Sequence, residues 1–122
     1  MNTISAVHGR RVLAVAPESP ALGSEQDAVD LLGEAFGHDA TVVVVPADRV
    51  AADFYRLRTR VAGDVVRKFQ MYQVRLVVLG DISAHLAGSE AFRAFAHEAN
   101  KGRDIWFVQD NAELEAKLAG PA

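Results

Sequence analysis

Two apolar runs place the strongest constraint on how this chain can fold. Residues 41–45 read TVVVV and residues 74–79 read VRLVVL, and neither run keeps a regular alternation of apolar and polar positions. A strand with one wet face alternates, whereas a parallel strand covered on both faces is nearly continuous in apolar residues. Because neighbouring parallel strands need a crossover between them, the two runs predict a largely parallel sheet with helices packed on it.

Turn residues and capping residues predict the remaining elements. Strands are expected at residues 3–7, 11–16 and 105–108, and helices are expected to open at Ser24, Ser89 and Asp110. The predicted order is β-β-α-β-α-β-α-β-α, and a turn over residues 8–10 joins the first two strands. We therefore expect a small α/β sandwich with a mostly parallel sheet and an antiparallel N-terminal edge strand. Size alone predicts a single domain over residues 1–120.

The composition narrows the classes of function. The chain has no cysteine, which excludes disulfides, thiolate catalysis and cysteine-ligated metal clusters. No apolar run approaches the ~20 residues of a membrane span, and the first residues lack the apolar segment of a secretory signal. The formal net charge of −3 does not favour nucleic-acid binding. A cytoplasmic protein with no membrane or nucleic-acid partner is expected.

The central segment, residues 53–72, has the longest helical periodicity in the chain and reads DFYRLRTRVAGDVVRKFQMY. Its large apolar side chains recur at helical steps and so share one face, which is expected in the core: Phe54, Leu57, Val61, Val65, Phe69 and Tyr72. The opposite face carries arginines. Residues 53–75 hold six basic and two acidic side chains, a local sum of +4, which leaves −7 for the rest of the chain.

Thr59 and Gly63 are the positions in this segment that a simple amphipathic helix does not explain. Glycine in a helix interior costs about 1 kcal/mol relative to alanine. A small pair one turn apart would let another backbone, a partner helix or a ligand approach closely. Alternatively, residues 53–57 form a separate turn and Thr59 caps a helix that starts after it. The sequence leaves both readings open.

The central segment also resembles the signature of a bacterial family known as domain of unknown function 4180. That family carries a phenylalanine-rich start, a Leu-x-Thr pair, an Ala-Gly-acid triplet and a Lys-Phe-x-x-Tyr pattern. In this chain they fall on Leu57/Thr59, Ala62-Gly63-Asp64 and Lys68-Phe69/Tyr72. Arg60 stands where the family often has glycine, and Arg67 stands where it often has glutamine. A family site that depends on these two positions would be altered here.

Further matches extend this resemblance over nearly the whole chain: Gln26-Asp27, Gly80-Asp81, Glu98, Asn100 and Gly102. The shared polar positions imply an alternative function, a small-molecule-binding protein or small enzyme. Its pocket would lie near Asp81, Lys68, Tyr72 and Glu98, and Gln26, Asp27 and Asn100 complete the polar set. If these side chains converge, they could support general acid–base chemistry.

The order of elements is similar, more distantly, to the STAS-like fold of anti-sigma-factor antagonists. In that fold a buried strand leads through a loop to a helix whose N-terminal serine or threonine is phosphorylated, and Thr59 holds a roughly comparable place. The resemblance implies that Arg58 and Arg60 could pair with a phosphate on Thr59. Whether Thr59 is modified stays open.

Acidic residues follow each predicted parallel strand: Glu18, Asp48, Asp81 and Asp110. Ligands of open α/β sheets bind beyond the carboxyl ends of the strands, and such carboxylates can also hold Mg²⁺ or cap the following helix. Capping is the favoured reading, and Asp81 beside Gly80 is the most interesting of the set. The histidines show no metal-ligand spacing, and no nucleophile elbow, P-loop or dinucleotide motif occurs. No metal and no cofactor are expected.

The leading hypothesis is a non-enzymatic, STAS-like binding or regulatory domain, with enzyme activity left open. It would act through the surface around Thr59 and Gly63, and the residues assigned to it are Arg58, Thr59, Arg60, Gly63 and Arg67. A protein partner or a second copy of the chain would bind there. The arginines would also suit a small anionic ligand, because the guanidinium fork matches carboxylates and phosphates.

Overall fold

The computed structural model of the protein describes residues 2–120 and contains one five-stranded sheet. The strands lie in the sheet in chain order: β1 (Thr3–Val7), β2 (Arg10–Ala14), β3 (Val42–Pro46), β4 (Arg75–Leu79) and β5 (Ile105–Val108). The β1–β2 pair is antiparallel and the other three pairs are parallel. The predicted α/β class and the antiparallel N-terminal edge strand are confirmed. Met1, the first residue of the predicted domain, lies outside the described residues.

The β1–β2 hairpin closes through a two-residue turn. Val7 pairs with Arg10, and the intervening His8 and Gly9 have φ values of 49° and 80°. Positive φ at both central residues is the geometry of a type I′ turn, whose twist matches that of the flanking strands. The turn predicted at residues 8–10 is therefore present.

Among the described residues, six α-helices accompany the sheet: α1 (Glu25–Gly37), α2 (Ala52–Tyr55), α3 (Val61–Met71), α4 (Ser83–Gly88), α5 (Glu90–Lys101) and α6 (Asn111–Ala119). The three predicted N-caps are confirmed, because each capping side chain accepts a hydrogen bond from a backbone N–H in the first turn. Ser24 caps α1, Ser89 caps α5 and Asp110 caps α6.

The central segment is not one continuous helix. It contains α2, a 3-10 turn at Leu57–Thr59 and then α3, with Arg60 between the last two at a φ of 68°. A residue in the left-handed region cannot continue a right-handed helix. The reading in which residues 53–57 are separate from the following helix is therefore supported, but its second part is wrong, because Arg60 and not Thr59 is the N-cap residue of α3. The predicted order also lacks α4, whose residues SAHLAG contain a single large apolar side chain, Leu86, and so show no helical period.

The two faces of the sheet are covered unequally. Helices α1, α2, α3 and α5 pack on one face, and their largest fully buried side chains are Leu32, Phe54, Phe69 and Phe92. In the described part of the chain, α6 is the helix that packs on the other face, where Leu114 and Leu118 cluster with Val77 and Trp106. Both faces of β3 and β4 are therefore buried, which is what the two continuous apolar runs predicted.

Within residues 2–120, no helix has the length and apolar character needed to cross a membrane.

Candidate functional site

A cleft with a mixed polar and apolar lining lies at the carboxyl ends of β4 and β5. Its volume is about 370 Å³, within the range of small-molecule sites in proteins. The turn after β4, helix α5 and the start of α6 form its walls. The polar side chains that line it are Asp81, Ser83, Arg93, His97, Asn100, Gln109 and Glu113. We call this the carboxyl-edge cleft.

Gly80 shapes the turn that leads into the cleft. Its φ of 142° lies in a region that side-chain-bearing residues rarely adopt, and a Cβ at this position would lie 2.9 Å from the Cβ of Ala47. The Gly80 N–H donates a hydrogen bond to the carbonyl of Val108 at 2.9 Å, which ties the turn to β5. Glycine therefore allows the chain to turn tightly between two neighbouring elements and to expose Asp81.

Asp81 is a solvent-exposed carboxylate held at the start of α4. Its Oδ1 accepts a hydrogen bond from the backbone N–H of Ser83 at 2.9 Å. That bond, together with a bond from the Ser83 hydroxyl, holds the pKa of Asp81 below its ordinary value. The carboxylate is therefore ionised near neutral pH, and it faces solvent at the wall of the cleft, where a cationic ligand group could reach it.

Helix α5 supplies the opposite wall through Arg93, His97 and Asn100. Their spacing of four and three residues places them on one helix face. Arg93 donates from Nε to the carbonyl of Leu86 at 3.3 Å, which leaves the terminal nitrogens of its guanidinium for a ligand. Asn100 Oδ1 accepts the N–H of Phe107 at 2.7 Å, so this side chain fixes α5 against β5. His97 is exposed and adds a group that can donate or accept a hydrogen bond.

Glu113 closes the cleft from α6. Its Oε1 accepts the N–H of Gln109 at 2.7 Å, while the N–H of Glu113 donates to Asp110. This reciprocal arrangement resembles a capping box and keeps the carboxylate at the cleft wall. With Asp81 and Glu113 on two walls and Arg93 on the third, the cleft presents both signs of charge.

Of the seven polar residues predicted to form a pocket, the structure places Asp81 and Asn100 in the same cleft. Glu98, although adjacent to His97, lines a separate groove on α5 and lies 3.5 Å from the ammonium of Lys101. Lys68 forms an ion pair with Glu25 at 3.3 Å. These contacts join neighbouring turns or helices at the surface.

The other predicted pocket residues lie around α1. Gln26 donates to Asp30 at 2.9 Å, and Asp27 accepts the N–H of Gly23 at 2.9 Å, so both stabilise the first turns of this helix. The Tyr72 ring packs edge-on against Phe36 with centroids 5.5 Å apart. The structure therefore distributes the predicted polar set over several surfaces.

Thr59 joins α2 to the start of α3. Its hydroxyl lies 2.6 Å from the carbonyl oxygen of Asp53 and 2.7 Å from that of Arg56, and it accepts the N–H of Val61 at 3.3 Å. Through these contacts the Thr59 side chain stabilises the break in the helix before α3. A phosphate on this oxygen would replace the hydrogen that the two carbonyls accept.

Gly63 lies in the first turn of α3 and not in its middle. It is exposed, and a Cβ built on it meets nothing within 4 Å, so no part of the described chain approaches it closely. Arg58, Arg60 and Arg67 are also exposed. We call these residues with Thr59 the Thr59 surface, a solvent-facing patch that carries basic side chains.

Arg93, His97 and Glu113 are cleft residues that the sequence did not indicate. Arg93 and His97 with Asn100 repeat at helical steps of four and three, and that spacing was available from the sequence. Glu113 was recognisable as part of the cap of α6 with Asp110, but its position beside α5 depends on tertiary structure. Within residues 2–120, no group of three or more His, Asp or Glu side chains is placed to hold a metal ion.

The fold is that of a small α/β domain with a cleft at the carboxyl ends of two parallel strands. The family described as Domain of unknown function (DUF4180) matches residues 7–118, so the chain belongs to this family, and the resemblance seen in the central segment is confirmed. No curated protein and no solved structure matches the chain. The more distant likeness to the STAS-like fold is not confirmed.

Proposed function

We propose that the protein is a non-enzymatic binding domain that holds a small polar molecule in the carboxyl-edge cleft. The single observation that carries the proposal is the convergence of Asp81, Arg93, His97 and Glu113 around one cleft of about 370 Å³. Ligands of open α/β sheets bind at this edge. A ligand with both a cationic and an anionic group fits the lining best, because Asp81 and Glu113 would face the cation and Arg93 the anion.

A ligand screen with matched variants tests this proposal. Thermal unfolding is measured with a panel of amino acids, simple amines and simple carboxylates, since a ligand that binds the folded state raises the melting temperature. We expect a zwitterionic member of the panel to stabilise the wild type, and Arg93→Ala and His97→Ala to abolish that stabilisation. Glu98→Ala is the control, because Glu98 follows His97 on α5 and lines a different groove. An equal response in all the variants would contradict the proposal.

A second candidate function is partner binding or self-association through the Thr59 surface. Support comes from its three exposed arginines and from the open space over Gly63. Exposed arginines are common in protein interfaces, and a helix face without a Cβ permits close approach of another chain. A small anionic ligand at the same arginines would be an alternative occupant.

Variants of Gly63 and Arg60, together with a control variant of another exposed helical glycine, test this second candidate. Gly63→Leu and Arg60→Glu should reduce partner recovery or self-association, measured by pull-down and size-exclusion chromatography. Gly33→Leu is the matched control, because Gly33 is also exposed on a helix with nothing within 4 Å of a built Cβ. Unchanged assembly in Gly63→Leu and Arg60→Glu, with the fold intact, would remove the Thr59 surface from consideration.

A further inference from the structure

A second cleft lies at the opposite edge of the sheet, where the parallel strands begin. Its volume is also about 370 Å³. None of its described lining residues is acidic, and five are cationic: Arg10, Arg75, Lys101, Arg103 and Lys117. We call it the amino-edge cleft. Because the whole chain has a formal charge of −3, the +5 of these side chains leaves −8 for everything else.

Backbone carbonyls from the end of α5 and the turn after it hold the cleft side chains in place. Arg75 donates from Nε to the carbonyl of Arg103 at 2.6 Å, and Lys117 donates from Nζ to the carbonyl of Asn100 at 3.1 Å. Trp106 donates from Nε1 to the carbonyl of Gly102 at 2.8 Å. These acceptors are neutral, so they orient the cations without cancelling their charge.

The ring of Trp106 also positions two of the cations. The guanidinium carbon of Arg75 lies 4.1 Å from the ring centre, and the ammonium of Lys117 lies 4.7 Å from it. Cations are attracted to the face of an aromatic ring at such distances. The indole is 7% exposed, so it forms the floor of the cleft while the charged groups stand above it.

Carboxylates neutralise little of this charge. Lys101 pairs with Glu98 at 3.5 Å, but none of the ion pairs between described residues includes Arg10, Arg75, Arg103 or Lys117. The nearby Asp104 accepts a hydrogen bond from Gln70. Burial, followed by the like charges of Arg10 and Arg103, lowers the pKa of Arg75, and Asp104 opposes that effect only in part. An anion in the cleft would relieve this repulsion.

We propose that the amino-edge cleft binds a small anion that carries a phosphate group. The guanidinium fork makes paired hydrogen bonds to phosphate oxygens, and Arg75 keeps its terminal nitrogens for such bonds because Nε is the atom that contacts Arg103. Four cations without a carboxylate partner favour a multiply charged ligand over a single carboxylate. The site lies at the other edge of the sheet from the carboxyl-edge cleft, and Asn100 is the residue that lines both.

The single tryptophan of the chain gives a direct probe, because Trp106 lies in the amino-edge cleft. Inorganic pyrophosphate is titrated at constant ionic strength while tryptophan fluorescence is recorded, and ³¹P line broadening provides an independent signal. We expect a saturable change with pyrophosphate and a weaker one with inorganic phosphate. A change that does not saturate, or that chloride at equal ionic strength reproduces, would overturn the proposal, as would tighter binding of citrate than of pyrophosphate.

Charge-matched variants locate the binding. Arg75→Gln with Lys117→Gln should weaken pyrophosphate binding about tenfold or more, since charge-assisted hydrogen bonds are among the strong ones. Arg56→Gln with Lys68→Gln removes the same charge from positions outside both clefts and should leave the affinity within about twofold, the effect expected of screened charges. Equal weakening in the two double variants would overturn the proposal.

A single variant keeps the test valid if the first double variant fails to fold. Arg10→Gln removes a cation that lines the cleft and takes part in none of the side-chain hydrogen bonds or ion pairs given above. It should therefore fold normally and weaken pyrophosphate binding, whereas its control Arg56→Gln, outside the cleft, should not. Unchanged affinity in Arg10→Gln would contradict the assignment.

Discussion

Backbone conformation, and not side-chain chemistry, determines which residue type best suits position 60, where this chain has an arginine. Arg60 has a φ of 68° between the 3-10 turn and α3. Glycine adopts positive φ without a steric cost, which would account for the glycine that the family resemblance leads us to expect at this position. The arginine adopts the same conformation at a cost of roughly 1–2 kcal/mol.

Replacing Arg60 with glycine should make the protein more stable. We expect Arg60→Gly to raise the free energy of unfolding by about 0.5–1 kcal/mol, because relief of the left-handed strain is partly offset by the entropy of glycine. Chemical denaturation measures the change. Arg58→Gly, in the neighbouring 3-10 turn, is the control and should lower stability. A lower stability for Arg60→Gly would show that the arginine side chain contributes more than the backbone conformation costs.

Gly80 should tolerate substitution far less well than a helical glycine. Gly80→Ala combines a φ of 142° with a Cβ 2.9 Å from that of Ala47, so it should lower the free energy of unfolding by about 2 kcal/mol or more. Gly33→Ala in α1 meets nothing within 4 Å and should raise it by about 0.5–1 kcal/mol. Denaturation of the two variants in parallel provides the comparison. A neutral Gly80→Ala would mean that the turn before Asp81 relaxes freely.

The pKa of Asp81 should be below its ordinary value and should depend on Ser83. The backbone N–H of Ser83 is the main cause of the shift and its hydroxyl the second. Because the folded-state pKa is lowered, the stabilising contribution is present above the unfolded-state pKa and is lost as the pH falls through the folded-state pKa. Carboxyl ¹³C shifts followed against pH should show Ser83→Ala moving this pKa partway back up. An unchanged pKa in that variant would contradict the geometry of the turn.

At the scale of elements, periodicity predicts which residues are buried better than it predicts where helices break. Phe54, Val65 and Phe69 are all fully buried, as the apolar spacing indicates. The same spacing continues across the break at Arg60, since α2, the 3-10 turn and α3 pack against one surface. Tyr72, the last residue of the predicted face, lies just after α3 and is half exposed.

Only part of the candidate site was predictable from the sequence, because local signals indicate some of its residues and tertiary structure brings in the others. Asp81 follows a buried parallel strand and a glycine, and both signals are local, so the sequence indicates it. Arg93 and Glu113 are distant in sequence. They meet only because α5 and α6 both start at the carboxyl edge of the sheet. Helix α4, which fixes Ser83 beside Asp81, has too short an apolar pattern to be predicted.

At the scale of the whole molecule, the sheet depends on α6 for cover of one face. Leu114 and Leu118 from this helix are both buried against the cluster that contains Val77 and Trp106. The opposite face has several helices and the larger aromatic cluster. The short C-terminal helix therefore contributes more to stability than its length suggests, and it also forms parts of both clefts through Glu113 and Lys117.

Truncation of one leucine in α6 should reveal this dependence. Leu114→Ala should lower the free energy of unfolding by about 2–4 kcal/mol, the usual cost of deleting a buried leucine side chain. Glu115→Ala, on the exposed side of the same helix, should change it by less than about 0.5 kcal/mol. Thermal and chemical denaturation measure the stability of both variants. A small effect of Leu114→Ala would indicate that β2 to β5 remain folded without this cover.

The two clefts lie at opposite edges of one sheet and differ in charge, which allows one measurement to separate the proposed sites. In ¹H–¹⁵N correlation spectra, the zwitterionic ligand found by the thermal screen is titrated into the labelled wild-type protein. We expect the amide signals of Gly80, Asp81, Ser83 and Gln109 to shift together and saturate, while those of Thr59, Gly63 and Arg75 do not move. Shifts centred on Thr59 and Gly63 or on Arg75, or no saturable shift at Gly80–Ser83, would contradict the assignment of function to the carboxyl-edge cleft.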